Sequence, residues 1–186
     1  MADPDKTFIE QLCRYHVSGT LKVAPEHVSE RVLKCMRKPP AAVFRNFAEA
    51  YRKTNEKLGK QQYLIPYFIS SHPGSSLDDA IELALYLKKS GFIPDQVQDF
   101  YPTPGTLATC MYHTHMDPLT GEKVYVADTM EEKKMQRALL HFNRPANRKN
   151  VIKALEKAGR EDLIDVLLPG RNHKDRRNGN GGNRRR

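Results

Sequence analysis

The sequence contains no tryptophan and only three cysteines, Cys13, Cys35 and Cys110, set far apart and outside any C-x-x-C arrangement. Such a scattered, odd set argues against a disulfide framework and a four-thiolate metal site, and makes a reducing, cytoplasmic compartment the expected setting. No apolar run approaches the ~18 residues of a membrane span, and the opening residues MADPDKTF lack the apolar stretch of a signal peptide. Neither a membrane nor export is expected. Acid is also scarce at the carboxyl end, where residues 171–186, RNHKDRRNGNGGNRRR, hold seven Lys/Arg against one Asp. The formal charge of +9 therefore divides into +6 on this tail and +3 on residues 1–170. Without large apolar side chains the tail cannot offset its ordering entropy, so a disordered basic tail at 171–186 is expected. Counterion release would give it at most a weak RNA contact.

What is present reads as one principal domain of alternating strands and helices, with 39% hydrophobic residues over a length of 186. A short helix is predicted from Pro4 to about Arg14. A strand follows over Thr20 to Ala24, stopped by Pro25, and then a helix over roughly Ser29 to Lys38 that Pro39-Pro40 ends. A second helix, about Ala41 to Gly59, turns Phe44, Phe47 and Tyr51 toward a core. Leu64 to Ile69 is apolar except for Pro66, which a strand tolerates at an edge or bulge. The most secure helix begins at a capping signal, Ser75 with Asp78 or Ser76 with Asp79, and runs with Leu77, Ile81, Ala84 and Leu85 on one side to Gly91. A short strand over Val97 to Tyr101 completes the order strand, helix, helix, strand, helix, strand, which implies parallel pairing through crossovers. Beyond Thr106, DPLTGEKVYVAD suggests a turn or small hairpin. Helices are then predicted over Thr129 to Phe142, Arg148 to Ala158 and Glu161 to Leu168.

In a parallel α/β sheet the loops leaving the strands' carboxyl ends converge and hold the ligand chemistry. APEHVSE, SSHPGSS and YPTPGT are the three such loops. Two contain Pro-Gly, where glycine permits close backbone approach and helix-start amides face an anion or a hydroxyl-rich ligand. The plainer reading, a turn before a capped helix, stands beside it.

The strings LKVAPEHVSERVLKCMRKP, YLIPYFISSHPGSSLDDAIELALYLK, VQDFYPTPGTLATCMY and DPLTGEKVYV, with QRALL and GREDLI, span nearly all the chain except its tail. Together they resemble the later half of the radical S-adenosylmethionine (SAM) enzymes, most of all the YgiQ-like family. The resemblance implies the C-terminal half of a partial (βα) barrel over residues 1–108, a helical extension over 109–170, and the tail over 171–186. It also implies a parent enzyme that binds a [4Fe-4S] cluster, cleaves SAM reductively and abstracts hydrogen from an unknown substrate. Methylthiotransferases of the wider superfamily carry a Gln-Ser-Gly segment before a Val-Leu-x-x-Met helix, and Pro-Gly and Arg-Pro-Gly-Thr after the next two strands. Here Glu26 and His27 precede Val32, Leu33 and Met36, and the later motifs fall at Pro73-Gly74 and Thr103 to Thr106. By that correspondence Glu26, His27, Ser71, His72, Tyr101 and Thr103 face cofactor or substrate.

The chain departs from the family in lacking the C-x-x-x-C-x-x-C loop whose three thiolates hold the cluster and leave one iron open to SAM. It is therefore expected to be a fragment without catalysis of its own, its partner being the missing N-terminal cluster-binding half; neither SAM nor the cluster is expected to be held by this chain alone. The alternative is a stand-alone module that binds nucleic acid or protein through the basic tail. Two rival constellations are weaker. Cys110-x-x-His113-x-His115, read as extended, would set both imidazoles on one side but lacks a fourth zinc ligand. His72 is well placed for acid-base chemistry but has no G-x-S-x-G elbow beside it.

Overall fold

The computed structural model describes residues 7–169. The expectations for the tail at 171–186 and for the helix start at Pro4 lie outside those residues. Three strands, β1 (Thr20–Glu26), β2 (Tyr63–Ser70) and β3 (Gln98–Asp99), form one parallel sheet in chain order. The helices are α1 (Thr7–Gln11), which passes into a π-helical turn at Leu12–His16, α2 (Glu30–Cys35), α3 (Ala41–Leu58), α4 (Leu77–Ser90), α5 (Leu107–Thr114), α6 (Met130–Leu140), α7 (Arg148–Lys157) and α8 (Ile164–Leu167). The mixed α/β class and its parallel strands agree with the sequence reading. Among the described residues no helix is long and apolar enough to cross a membrane.

Strand alternation decides where the core lies. Leu21, Val23 and Leu64 pack on Cys13, Phe47 and Tyr51, joining the sheet to α3. Phe68, on the same face of β2, enters a larger cluster with Leu83 and Leu87 of α4, Met135 and Leu139 of α6 and Leu155 of α7. Among the described residues no strand or helix covers the opposite face. Thr20, Lys22, Tyr63 and Tyr67 are exposed there, with the Lys22 ammonium 5.9 Å from the centre of the Tyr67 ring.

Three strand details differ from expectation. β1 continues through Pro25 to Glu26, because its register is irregular between Val23 and Glu26 and the missing proline N–H falls in that break. Pro66 sits in the central strand, yet β3 pairs only with Ile69 and Ser70, so Pro66 has a strand on one flank alone. β3 is two residues long where five were predicted. Position 108/109 falls inside α5, and α6, α7 and α8 share one hydrophobic cluster with α4.

That shared core has a measurable consequence. Leu139 is fully buried, and Leu139→Ala should cost about 2–5 kcal/mol. Urea unfolding followed by far-ultraviolet circular dichroism and by tyrosine signal should shift together. Two separated transitions, with only one displaced, would contradict a common core.

Candidate functional site

Parallel pairing brings the carboxyl ends of the three strands to one edge. β1 ends there at Glu26 and β2 runs out into Ser71, and both residues adopt positive φ, 64° and 59°. L-residues rarely adopt this conformation, and where it persists it tends to mark ligand-facing turns. Glu26 is half-buried and meets the Lys38 ammonium at 3.3 Å; Lys38 also donates to the Ala24 carbonyl at 2.8 Å. His27 beside it is buried, and its Nδ1 accepts the Ser29 amide N–H at 3.0 Å, which leaves the ring proton of the neutral form on Nε2. Burial pushes the His27 imidazole down to about 4, with the Asp79 carboxylate only partly opposing it.

The loop SSHPGSS is not an isolated turn. Gln136 of α6, fully buried, accepts from the Ser71 amide at 3.2 Å and the Ser75 hydroxyl at 3.0 Å, and donates to the Ser75 carbonyl at 2.8 Å. The Gly74 amide donates to the Tyr125 carbonyl at 2.7 Å. Glycine is required there, since φ is +95° and an added Cβ would lie 2.7 Å from the Cys35 sulfur. His72 is buried with Nδ1 2.8 Å from the Pro73 carbonyl and its ring against Phe100, centroids 5.1 Å apart. Burial lowers its pKa, against the pull of the Pro73 carbonyl and of the Glu26 carboxylate. One polar group in the loop is unsatisfied: the buried Ser71 hydroxyl has no hydrogen-bond partner among the described residues.

Behind this edge a charged knot fixes α2 against α4. The Ser76–Asp79 capping box opens α4, the Ser29 hydroxyl donates to Asp79 at 2.7 Å, and Arg31 reaches both Asp79 and, at 2.8 Å, the Ser76 hydroxyl. Burial alone would raise the Asp79 pKa, but the hydrogen bonds from Arg31, Ser76 and Ser29 outweigh it and hold the carboxyl below its ordinary range. β2 and β3 are tied in turn: the Ser70 hydroxyl donates to Asp99, which Arg137 of α6 meets at 2.7 Å.

Of the six residues singled out from sequence, Glu26, His27, Ser71 and His72 come together. The Glu26 carboxylate is close enough to raise the His72 pKa against burial, and His72 in turn lowers that of His27. Tyr101 and Thr103 follow β3 along the same edge but are exposed, and the Thr103 carbonyl is occupied by the Thr106 and Thr109 hydroxyls at 2.9 and 2.7 Å. Phe100 links the two groups, touching His72 on one side and Tyr112 on the other. The extended reading of Cys110 to His115 is corrected. Thr106 caps α5 by accepting the Thr109 amide at 3.2 Å, so Cys110 and His113 are helical, while His115 takes the left-handed cap and meets Asp128 at 3.4 Å. Sequence reading also passed over Gln136 and Asp79 as functional positions. Glu132, Gln136 and Leu140 recur every fourth residue, a polar pair on a buried helix stripe, and that spacing was the available signal.

Residues 95–186 match the family model described as "Domain of unknown function (DUF3362)". Over 164 residues it is 58% identical to a UPF0313 protein of Clostridium perfringens, covering 88% of this chain and 25% of that protein. A UPF0313 protein of Clostridium botulinum is 54% identical over 173 residues, covering 91% of this chain and 27% of the relative. The chain thus spans about a quarter of the length of the curated relatives it matches.

The depressed His27 pKa sets a pH window. Between pH 6.5, its ordinary value, and about 4 the unfolded chain binds a proton that the folded chain refuses. Stability should therefore be full above 6.5 and fall by roughly 3 kcal/mol as pH drops through this window, with His72 adding in the same direction. Urea denaturation across the pH range should show H27Q, whose amide can still accept the Ser29 N–H, with a flatter slope. Equal slopes in wild type and variant would contradict the assignment.

Proposed function

We propose that this chain forms the SAM- and substrate-facing wall of a radical SAM enzyme, working together with a cluster-binding segment that it does not itself contain. The observation that supports this reading is the single edge of Glu26, His27, Ser71 and His72. Two residues there, Glu26 and Ser71, have positive φ, and the buried hydroxyl of Ser71 has no hydrogen-bond partner among the described residues. Among the described residues no three His, Cys, Asp or Glu side chains gather to hold a metal, and the three cysteines lie on the π-helical turn, α2 and α5. The chain therefore does not fit the iron-sulfur cluster.

It does fit the nucleoside side of the chemistry. The Ser71 hydroxyl offers a donor or acceptor to a ribose, the half-buried Glu26 carboxylate accepts from hydroxyl or ammonium groups, and Tyr101 supplies an exposed ring beyond β3. His27 and His72, kept neutral by burial, present polar ring atoms without adding positive charge beside a sulfonium. Bound SAM would supply hydrogen-atom abstraction; these residues hold and orient. The open sheet face of Lys22, Tyr63 and Tyr67 is the surface that earlier strands of a barrel would enclose.

Joining this chain to the preceding segment of the Clostridium perfringens relative and reconstituting anaerobically with iron, sulfide and dithionite tests the reading. SAM should be consumed to 5′-deoxyadenosine. S71V and H72A should lower that rate by about tenfold or more, the effect of losing one positioned contact, with the cluster absorbance unchanged. A reconstituted cluster with no 5′-deoxyadenosine, or variants as active as the parent, would overturn it.

A further inference from the structure

The other end of α4, ~20 Å along the helix from its capping box, carries a concavity. A cavity of about 500 Å³ opens between the carboxyl end of α4, the turn leading into α7 and the last described residues. Buried Leu87, Phe142 and Leu167 and exposed Ile93 give it an apolar lining, which Lys88, Arg144 and Arg148 share. No described Asp or Glu lines it.

Six arginines elsewhere, Arg14, Arg31, Arg37, Arg52, Arg137 and Arg160, each meet a carboxylate. The lining cations are different. Lys88 lies over the Phe142 ring at 5.9 Å and Arg144 donates to the Asp95 backbone carbonyl at 2.7 Å, and neither these two nor Arg148 pairs with a carboxylate among the described residues. Arg148 opens α7, so the helix dipole adds to the positive field of the cavity. Three cations that line one cavity with no lining carboxylate among the described residues set up a positive potential there, which an anion would relieve.

We propose that this cavity binds a nucleoside monophosphate or a phosphorylated ligand of that size, separately from the strand-end edge. A phosphate dianion engages two guanidinium forks and an ammonium at once, which a single carboxylate does not. The volume falls in the range that encloses a small organic ligand, and Leu87, Ile93 and Phe142 supply the apolar surface for its ring.

Isothermal titration calorimetry of the full chain with AMP, adenosine and inorganic phosphate tests this. AMP should bind saturably with one site. Adenosine and phosphate should each bind at least about tenfold more weakly, R148Q should lose about tenfold, and R144Q/R148Q should lose measurable binding. S71V should bind AMP as the parent does, which separates this cavity from the strand-end edge. Should R148Q lower the melting temperature, K88Q gives the same reading. No saturable AMP binding, AMP affinity unchanged in R144Q/R148Q, or phosphate binding as tightly as AMP would overturn the proposal.

Discussion

Because β1, β2 and β3 pair in parallel and in chain order, each strand must run out at the same edge, and the chain must return between them over one face of the sheet. Everything of chemical interest at the strand ends follows from that constraint. It aligns Glu26, Ser71 and Phe100 as the first residues beyond the sheet or its last pair, and it commits Leu21, Val23, Leu64 and Phe68 to the helix side. The opposite face, with Tyr63 and Tyr67 exposed, has no strand or helix over it among the described residues.

Pairing alone leaves the exit loops loose, and a second set of contacts holds them. Gln136 satisfies two donors and one acceptor of the SSHPGSS loop from a helix more than sixty residues further along the chain. The Tyr125 carbonyl takes the Gly74 amide. Asp79 gathers Ser29, Arg31 and Ser76, binding α2 to α4 just behind the loop. A buried polar network of this kind holds its geometry only while every member is satisfied. The unpaired Ser71 hydroxyl is therefore conspicuous: the loop spends its backbone groups on its own shape and leaves one side chain over. The later helices thus shape the strand-end edge, and the DUF3362 match includes the elements that grip it.

Local rules made much of this legible. Ser76 with Asp79 announces the start of α4, and Gly91 at φ 67° its end, because capping and left-handed termini are set by a few adjacent residues. The parallel order was legible from the spacing of apolar runs. What escaped was set by distant partners. β3 has only two paired residues, too few for a periodic signal, and β1 runs through Pro25 because the break in register there is a property of the pair and not of one strand. α5 is short and announced only by the Thr106–Thr109 cap, which begins at the last residue of the YPTPGT turn. Gln136 looks in sequence like an ordinary solvated polar residue of a charged helix, and only packing against the loop from Ser71 to Ser75 gives it a role.

Whether the strand ends make one ligand-facing edge is tested most directly by a nuclear magnetic resonance titration of the isotope-labelled chain with S-adenosylhomocysteine, which carries the nucleoside and amino-acid parts of SAM and needs no cluster. Shifts confined to the amides of Glu26, His27, Ser71, His72, Gly74, Tyr101 and Thr103 are the predicted result. A spectrum unchanged at saturating ligand, or shifts scattered away from the carboxyl ends of the strands, would contradict it.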